Sequence, residues 1–296
     1  MEENILPRSF GTHDGSFHAD EVTACALLLV FDLIDFDKIV RARTKEKLQH
    51  CEYICDVGGI YDPLKKRFDH HQVEYQGELS SAGMIWQYLR DTKRVSEHLY
   101  RFLNQGLIYG VDAHDNGRVS HEIGHATFSH VVSNFAPVHY DAPSHEKDAC
   151  FLEAVKFVQG HIERMIRRHN YSEECREEVQ QAMLKKQHYL LFQHSIPWMD
   201  AFFELGGEQH PALFVVMPSE QHWKLRGIPP TSRDRMRVRM QLPKPWAGLL
   251  DEQLQKASGI QGAVFCHKGQ FISMWKTKED AIKALELTLR LMGIRL

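Results

Sequence analysis

Short apolar runs alternate with helix-period stretches through the first third of the chain. "RSFGTH" (8–13) stops at the polar "DGSFHADE", as a strand ending in a turn does. "ADEVTACALLLVFDLI" (19–34) follows with the pattern of a helix, and Asp20 and Glu21 suit its first turn. "KIVRAR" (38–43) and "CEYICDVGG" (51–59) predict two more strands, and "KRFDHHQ" (66–72) a short fourth. "SSAGMIWQYLRD" (80–91) and "SEHLYRFLNQGLIYGVDAHDNG" (96–117) predict helices. Strands alternating with helices imply a mostly parallel sheet.

The pattern then changes twice. "EKDACFLEAVKFVQGHIERMIRRHN" (146–170) and "SEECREEVQQAMLKKQ" (172–187) are helical. Beyond them "YLLFQ", "ALFVVM", "WKLRGI", "MRVRMQL" and "GAVFCHKGQFISMW" read as strands, and "KEDAIKALELTLRLM" (278–292) as a closing helix. The expected fold class is α/β. Residues 1–187 form an N-terminal parallel-sheet domain with a helical linker, and 188–296 a smaller α/β C-terminal domain.

Composition narrows the classes. In 296 residues, 43% hydrophobic and 10% aromatic content is enough for sizeable cores. A net charge of −3 gives no global basic signal, so nucleic-acid binding would need a local groove. "MEENILPRSF" lacks the apolar run of a secretory signal, and "ACALLLVF" (24–31) is too short to span a bilayer, so no membrane association is expected. Six cysteines without a CxxC pair suit reduced thiols and a cytoplasmic location. "CEYIC" places Cys51 and Cys55 on one strand face as core.

The polar residues that interrupt the apolar runs fall at predicted strand ends. These are His13, His18 and Asp20 after the first strand, Asp56 after the third, and Asp69, His70 and His71 after the fourth; Asp112 lies in "GVDAHDNG". Carboxyl ends of parallel strands line one crevice, where ligands bind. Imidazole and carboxylate without thiolate suit manganese, iron or zinc. Six such groups exceed the needs of one catalytic zinc, whereas two divalent ions about 3.5–4 Å apart and sharing one carboxylate would use them all. For any one of these residues, a turn or cap is the simpler explanation; recurrence at equivalent strand ends favours the crevice.

"THDGSFHADE", "ICDVGG", "FDHHQ" and "GVDAHDNG", in this order, resemble the four motifs of the DHH phosphoesterase superfamily. "GTHDGSFHADE" with the C-terminal "MRVRMQLPKPWAGL" and "GAVFCHKGQFISMWKTKEDA" resembles the melanocyte proliferating gene family of metal-dependent 3′–5′ exoribonucleases, over nearly the whole chain. The resemblance implies that His13 and His18 ligate one ion and Asp20 the second. Asp56 would bridge both, and His70 and Asp112 would complete the second site. It implies that His71 contacts the scissile phosphate and that Asp69 orients the imidazoles. The wider superfamily has an Asp where His18 stands, so one site is less negative here.

The expected activity is hydrolysis of a phosphodiester in single-stranded RNA or a short oligonucleotide, at a cleft between the domains, by a water activated by two divalent ions, manganese first. An inorganic pyrophosphatase, a cyclic-dinucleotide phosphodiesterase and a non-catalytic nucleic-acid-binding protein are the alternatives. The oligomeric state is open, a homodimer included. "HEIGH" (121–125) matches the H-E-x-x-H zinc-peptidase pattern, with Glu122 as base, and is a rival from another class. In the C-terminal part, "RDRMRVRM" would show Arg235, Arg237 and Arg239 on one strand face, either solvated or tracking phosphates. Trp223, Lys224 and Arg226 would add a stacking surface and charge, and His267 and Lys276 are further candidate substrate contacts.

Overall fold

The computed structural model describes residues 5–120, 122–235 and 237–294, in two compact units, Met1–His169 and Asn170–Leu296. In the first unit β1 (Leu6–Thr12), α1 (Ala19–Val30), β2 (Ile39–Arg41), α2 (Lys45–Leu48), β3 (Cys51–Cys55), β4 (Tyr61–Asp62) and β5 (Arg67–Phe68) come first. The order across the sheet is β2-β1-β3-β5-β4. Every neighbouring pair is parallel except β4 with β5. The parallel sheet expected from the alternation is therefore present.

Helices α3 (Ser81–Asp91), α4 (Glu97–Leu103), α5 (Tyr109–Asp115), α6 (Phe128–Ser133) and α7 (Ser144–Glu174) complete this unit, α7 crossing its boundary. α1 is the hub. Its residues Ala19–Leu28 are all buried, which is why the segment is apolar on every side. Leu27 and Leu28 share a core with Phe10, Tyr53, Trp86, Val111 and Phe151. Truncating either leucine to alanine should cost about 2–5 kcal/mol.

The second unit contains α8 (Arg176–Leu184), β6 (Tyr189–Leu191), α9 (Met199–Glu204), β7 (Phe214–Ser219), β8 (His222–Gly227), α10 (Asp251–Ser258), β9 (Ala263–Cys266), β10 (Ile272–Trp275) and α11 (Lys278–Leu291). Its sheet runs β6-β7-β8-β10-β9, antiparallel apart from β6 with β7. Two cores flank it: Val216, Leu225 and Trp275 pack with α11, whereas Val215 and Met217 pack with α8 and α9.

Four expectations need correcting. The division falls at 169/170, not 187/188, because Cys175, Val179 and Met183 pack with β6 and β7. "MRVRMQL" is not a strand in its described residues (Met236 lies outside them); Val238 instead fills the space left by Gly227. Residues 122–127 form turns and loop, not the helix that the H-E-x-x-H pattern requires, and His121 of "HEIGH" lies outside the described residues. Cys51 packs with Leu48 and Ile54, apart from the main core that holds Cys55. All six thiols are free, and among the described residues no helix is long and apolar enough to cross a membrane.

Candidate metal centre

Three adjacent parallel strands deliver the polar groups. His13 follows β1, Asp56 follows β3, and Asp69, His70 and His71 follow β5. His18 is the N-cap residue of α1, Asp20 and Glu21 occupy its first turn, and Asp115 ends α5. Asp56 has φ +57°, in the left-handed region, where a side chain other than glycine costs about 1–3 kcal/mol.

The ring of His13 is aimed. Its Nδ1 lies 3.0 Å from the Asp14 carbonyl oxygen, which only a donor can satisfy, so Nε2 is left to face inward. There Nε2 is 3.2 Å from both Asp56 Oδ2 and Glu21 Oε1. His70 Nε2 is 3.1 Å from Asp115 Oδ2, 3.4 Å from Asp56 Oδ1 and 4.0 Å from Asp20 Oδ2. Asp69 Oδ1 accepts from the His71 amide at 3.1 Å and lies 2.8 Å from its Nδ1, and Oδ2 accepts from the Gly59 amide. The His71 side chain is 63% exposed, and its Nδ1 is 3.3 Å from Asp56 Oδ1.

A cation fits this arrangement. Both oxygens of Asp20, Oδ1 of Asp56 and Nε2 of His70 are buried without an acceptable hydrogen bond. Unpartnered buried carboxylates are rare and costly, so each needs an explanation. Ligand atoms of His13, His18, Glu21 and Asp56 all lie within 4.8 Å of one another. The same limit holds for the sets His18, Asp20, Asp115 and Asp56, His70, His71. Electrostatics agree. Burial, then the neighbouring acids Glu21, Asp56 and Asp115, push the Asp20 carboxyl well above its ordinary range. Burial opposes charge on His13 and His70, but the close acids (Asp56 and Glu21 beside His13, Asp115 and Asp56 beside His70) outweigh it and raise both to about 10.

Asp112 is not part of this cluster. Its Oδ1 accepts from the Ser80 amide at 3.0 Å, the Ser80 hydroxyl at 2.7 Å and the Gly83 amide at 3.0 Å, closing the start of α3. A Cβ on Gly83 would meet its Oδ2 at 2.2 Å, so glycine is required there. Burial raises its carboxyl to about 6. Asp115, not Asp112, lies against His70. A carboxylate in the last residue of a helix faces the negative end of the dipole, and that was the sequence signal for a compensating cation. The sequence does not single out Glu21, because an acid in a first turn already has a local purpose.

Of the C-terminal candidates, Arg239 is withdrawn as a substrate contact. Its guanidinium donates to the carbonyl oxygens of Pro229, His210, Ala212 and Gly207 at 2.7–3.0 Å. Arg237 is exposed, with Asp234 at 3.5 Å. Arg235 pairs with Asp200. Arg226 and Lys224 lie half-buried on one face of β8, without an acidic partner among the described residues, and burial lowers both. His267 accepts from the Gly269 amide at 2.9 Å and packs on Phe271, and Lys276 is exposed. Glu122 is 2.9 Å from His125 on an exposed turn, so the peptidase pattern lacks the helix it needs.

Carboxylates and imidazoles gathered at the carboxyl ends of a parallel sheet form a candidate metal-ion site in an α/β protein. A family model, MYG1_exonuc, described as an uncharacterised protein family (UPF0160), matches residues 9–289. The chain belongs to this MYG1 family. It is 49% identical to a MYG1 protein of Chlamydia muridarum, over 98% of this chain and 99% of the relative. It is 31% identical to the MYG1 exonuclease of Homo sapiens, over 96% of this chain and 86% of that one. Among solved structures, a pGpG-specific phosphodiesterase of Vibrio cholerae matches at a TM-score of 0.32 and 12% identity, over 97% of this chain and 99% of that one. That likeness is too loose to bear on chemistry.

Proposed function

We propose that the chain is a metal-dependent phosphodiester hydrolase, acting as a 3′–5′ exoribonuclease on single-stranded RNA or short oligonucleotides. The observation that carries this reading is the set of buried, unpartnered atoms on Asp20, Asp56 and His70. Membership of a family whose human relative is named an exonuclease supports it. Six free thiols suit a cytoplasmic location.

His13, His18 and Asp56 hold one ion in this reading, and Asp20, Asp56, His70 and Asp115 the other, manganese being the expected metal. Ions so placed supply a water of lowered pKa and neutralise charge on the phosphate. Asp56 fixes the spacing between the two halves of the centre, and its left-handed backbone turns both oxygens to neighbouring imidazoles. Asp69 holds the His71 ring, whose exposed edge is free to meet a phosphate oxygen. Arg226, His267 and Lys276 serve as substrate contacts, Arg226 as a phosphate partner because its charge is otherwise unanswered.

End-labelled RNA, labelled DNA and pyrophosphate, each offered with manganese, test the substrate class. A ladder shortening from the 3′ end of RNA is expected; turnover of pyrophosphate alone would assign a different substrate.

A further inference from the structure

Glu21 has no explanation in the roles given so far. It is completely buried in the first turn of α1, directly after Asp20. Both its oxygens approach one donor, the His18 amide, at 2.9 and 3.0 Å. No lysine or arginine pairs with it among the described residues. Its other neighbours are the Asp20 carboxyl and His13 Nε2, the latter at 3.2 Å from Oε1, and that nitrogen lies equally close to Asp56 Oδ2. One ring nitrogen can give a proton to only one of two carboxylates. A cation among the three atoms satisfies all of them.

The charge count points the same way. Without Glu21 the centre offers three carboxylates, Asp20, Asp56 and Asp115, to two divalent ions. With it the four carboxylates facing the ions balance their four positive charges, Asp69 being held apart by the Gly59 and His71 amides, in a place where an unbalanced charge is expensive.

We propose that Glu21 supplies the second anionic group of the ion site built on His13 and His18, and so sets whether that site fills. The inference rests on the two-ion reading above. The rival is a capping role alone, since Glu21 and His18 form a reciprocal box at the start of α1.

Glu21→Gln separates the two, because glutamine keeps the acceptor for the His18 amide and removes only the charge. The probe is manganese(II) chloride, titrated into the chelator-stripped full chain and followed by calorimetry and by the electron paramagnetic resonance of bound manganese. The parent should take two ions per chain with a spin-coupled signal. Glu21→Gln should keep one ion, bind the other at least tenfold more weakly and lose the coupled signal, while still unfolding cooperatively in chelator. The double variant His18→Asp/Glu21→Gln returns an anion to the same ligand group, at an N-cap position that favours aspartate. It should regain the second ion, and it decides the matter alone if the single variant does not fold. Two ions of parental affinity in Glu21→Gln, or one ion in the double variant, would overturn the proposal. A parent that takes one ion or none would overturn the two-ion reading itself.

Discussion

Asp115 Oδ2 lies 3.1 Å from His70 Nε2, while Asp112, on the same helix, turns its Oδ1 away to the Ser80 and Gly83 amides. The two acids of α5 thus divide the work, one facing the metal centre and the other holding α3. Asp115→Asn should lose manganese affinity and hydrolysis while its unfolding in chelator matches the parent. Asp112→Ala should do the reverse. Stranding buried donors costs on the order of 2 kcal/mol or more, visible in urea melts, with metal stoichiometry retained. Equal metal loss in both variants would restore Asp112 to the ligand set.

Stability should depend on pH with opposite signs in the stripped and loaded proteins. Stripped, His13 and His70 keep their protons up to about 10, against an ordinary imidazole value near 6.5. The folded chain then binds protons that the unfolded chain has released, so this stability is complete below pH 6.5 and fades as pH rises toward 10. Loaded, the imidazoles must be neutral, protons compete with the ions, and stability falls as pH drops. Thermal midpoints between pH 6 and 9, with chelator and with excess manganese, would show the crossing (a range of about three units around the ordinary value). Parallel profiles would contradict it.

Arg41 braces the loop that carries both His13 and His18. Its Nη2 donates to the Gly15 carbonyl oxygen at 2.8 Å and its Nη1 to Asp148 at 2.7 Å. The guanidinium carbon lies 4.7 Å from the Phe151 ring centroid. Arg41→Ala leaves the half-buried loop carbonyl without that donor, and manganese affinity should fall tenfold or more. Arg41→Lys should recover only part, since one ammonium cannot span both acceptors while stacking. Parental affinity in Arg41→Ala would show that the loop is fixed by other contacts.

Arg226 and Arg239 should fail in different ways. Four carbonyl oxygens depend on Arg239, so Arg239→Ala should destabilise the second unit by about 2–4 kcal/mol. Arg226→Ala removes a charge that answers no acid, so it should scarcely change stability. It should weaken RNA binding and reduce the logarithmic salt slope by about one. Urea melts and RNA titrations at several salt concentrations distinguish them; an unchanged salt slope for Arg226→Ala would remove it from the substrate path.

The strand-end acids were legible because a polar residue that stops an apolar run has few reasons to be there. His13, Asp56 and His70 converge as the parallel topology requires. Periodicity does not choose between Asp112 and Asp115, since residues three apart share a helix face; the helix-end position of Asp115 is the one cue in the sequence, and the Ser80 and Gly83 donors decide. Alternation in "MRVRMQL" imitated a strand, yet Arg239 reaches carbonyl oxygens from Gly207 to Pro229, a long-range demand that no local period records. The boundary moved for the same reason: Val179 and Met183 have the spacing of any amphipathic helix, and only the core shows which unit they belong to.

The central claim is that hydrolysis depends on ions held jointly through Asp56. Asp56→Asn tests it most directly, compared with the parent on end-labelled single-stranded RNA, with manganese and after chelation. The parent should shorten the RNA from its 3′ end with manganese and be silent in chelator. The variant should be silent in both, losing more than a change at His18 or Asp20 alone. Parental rates in Asp56→Asn, or full cleavage in excess chelator, would contradict the account.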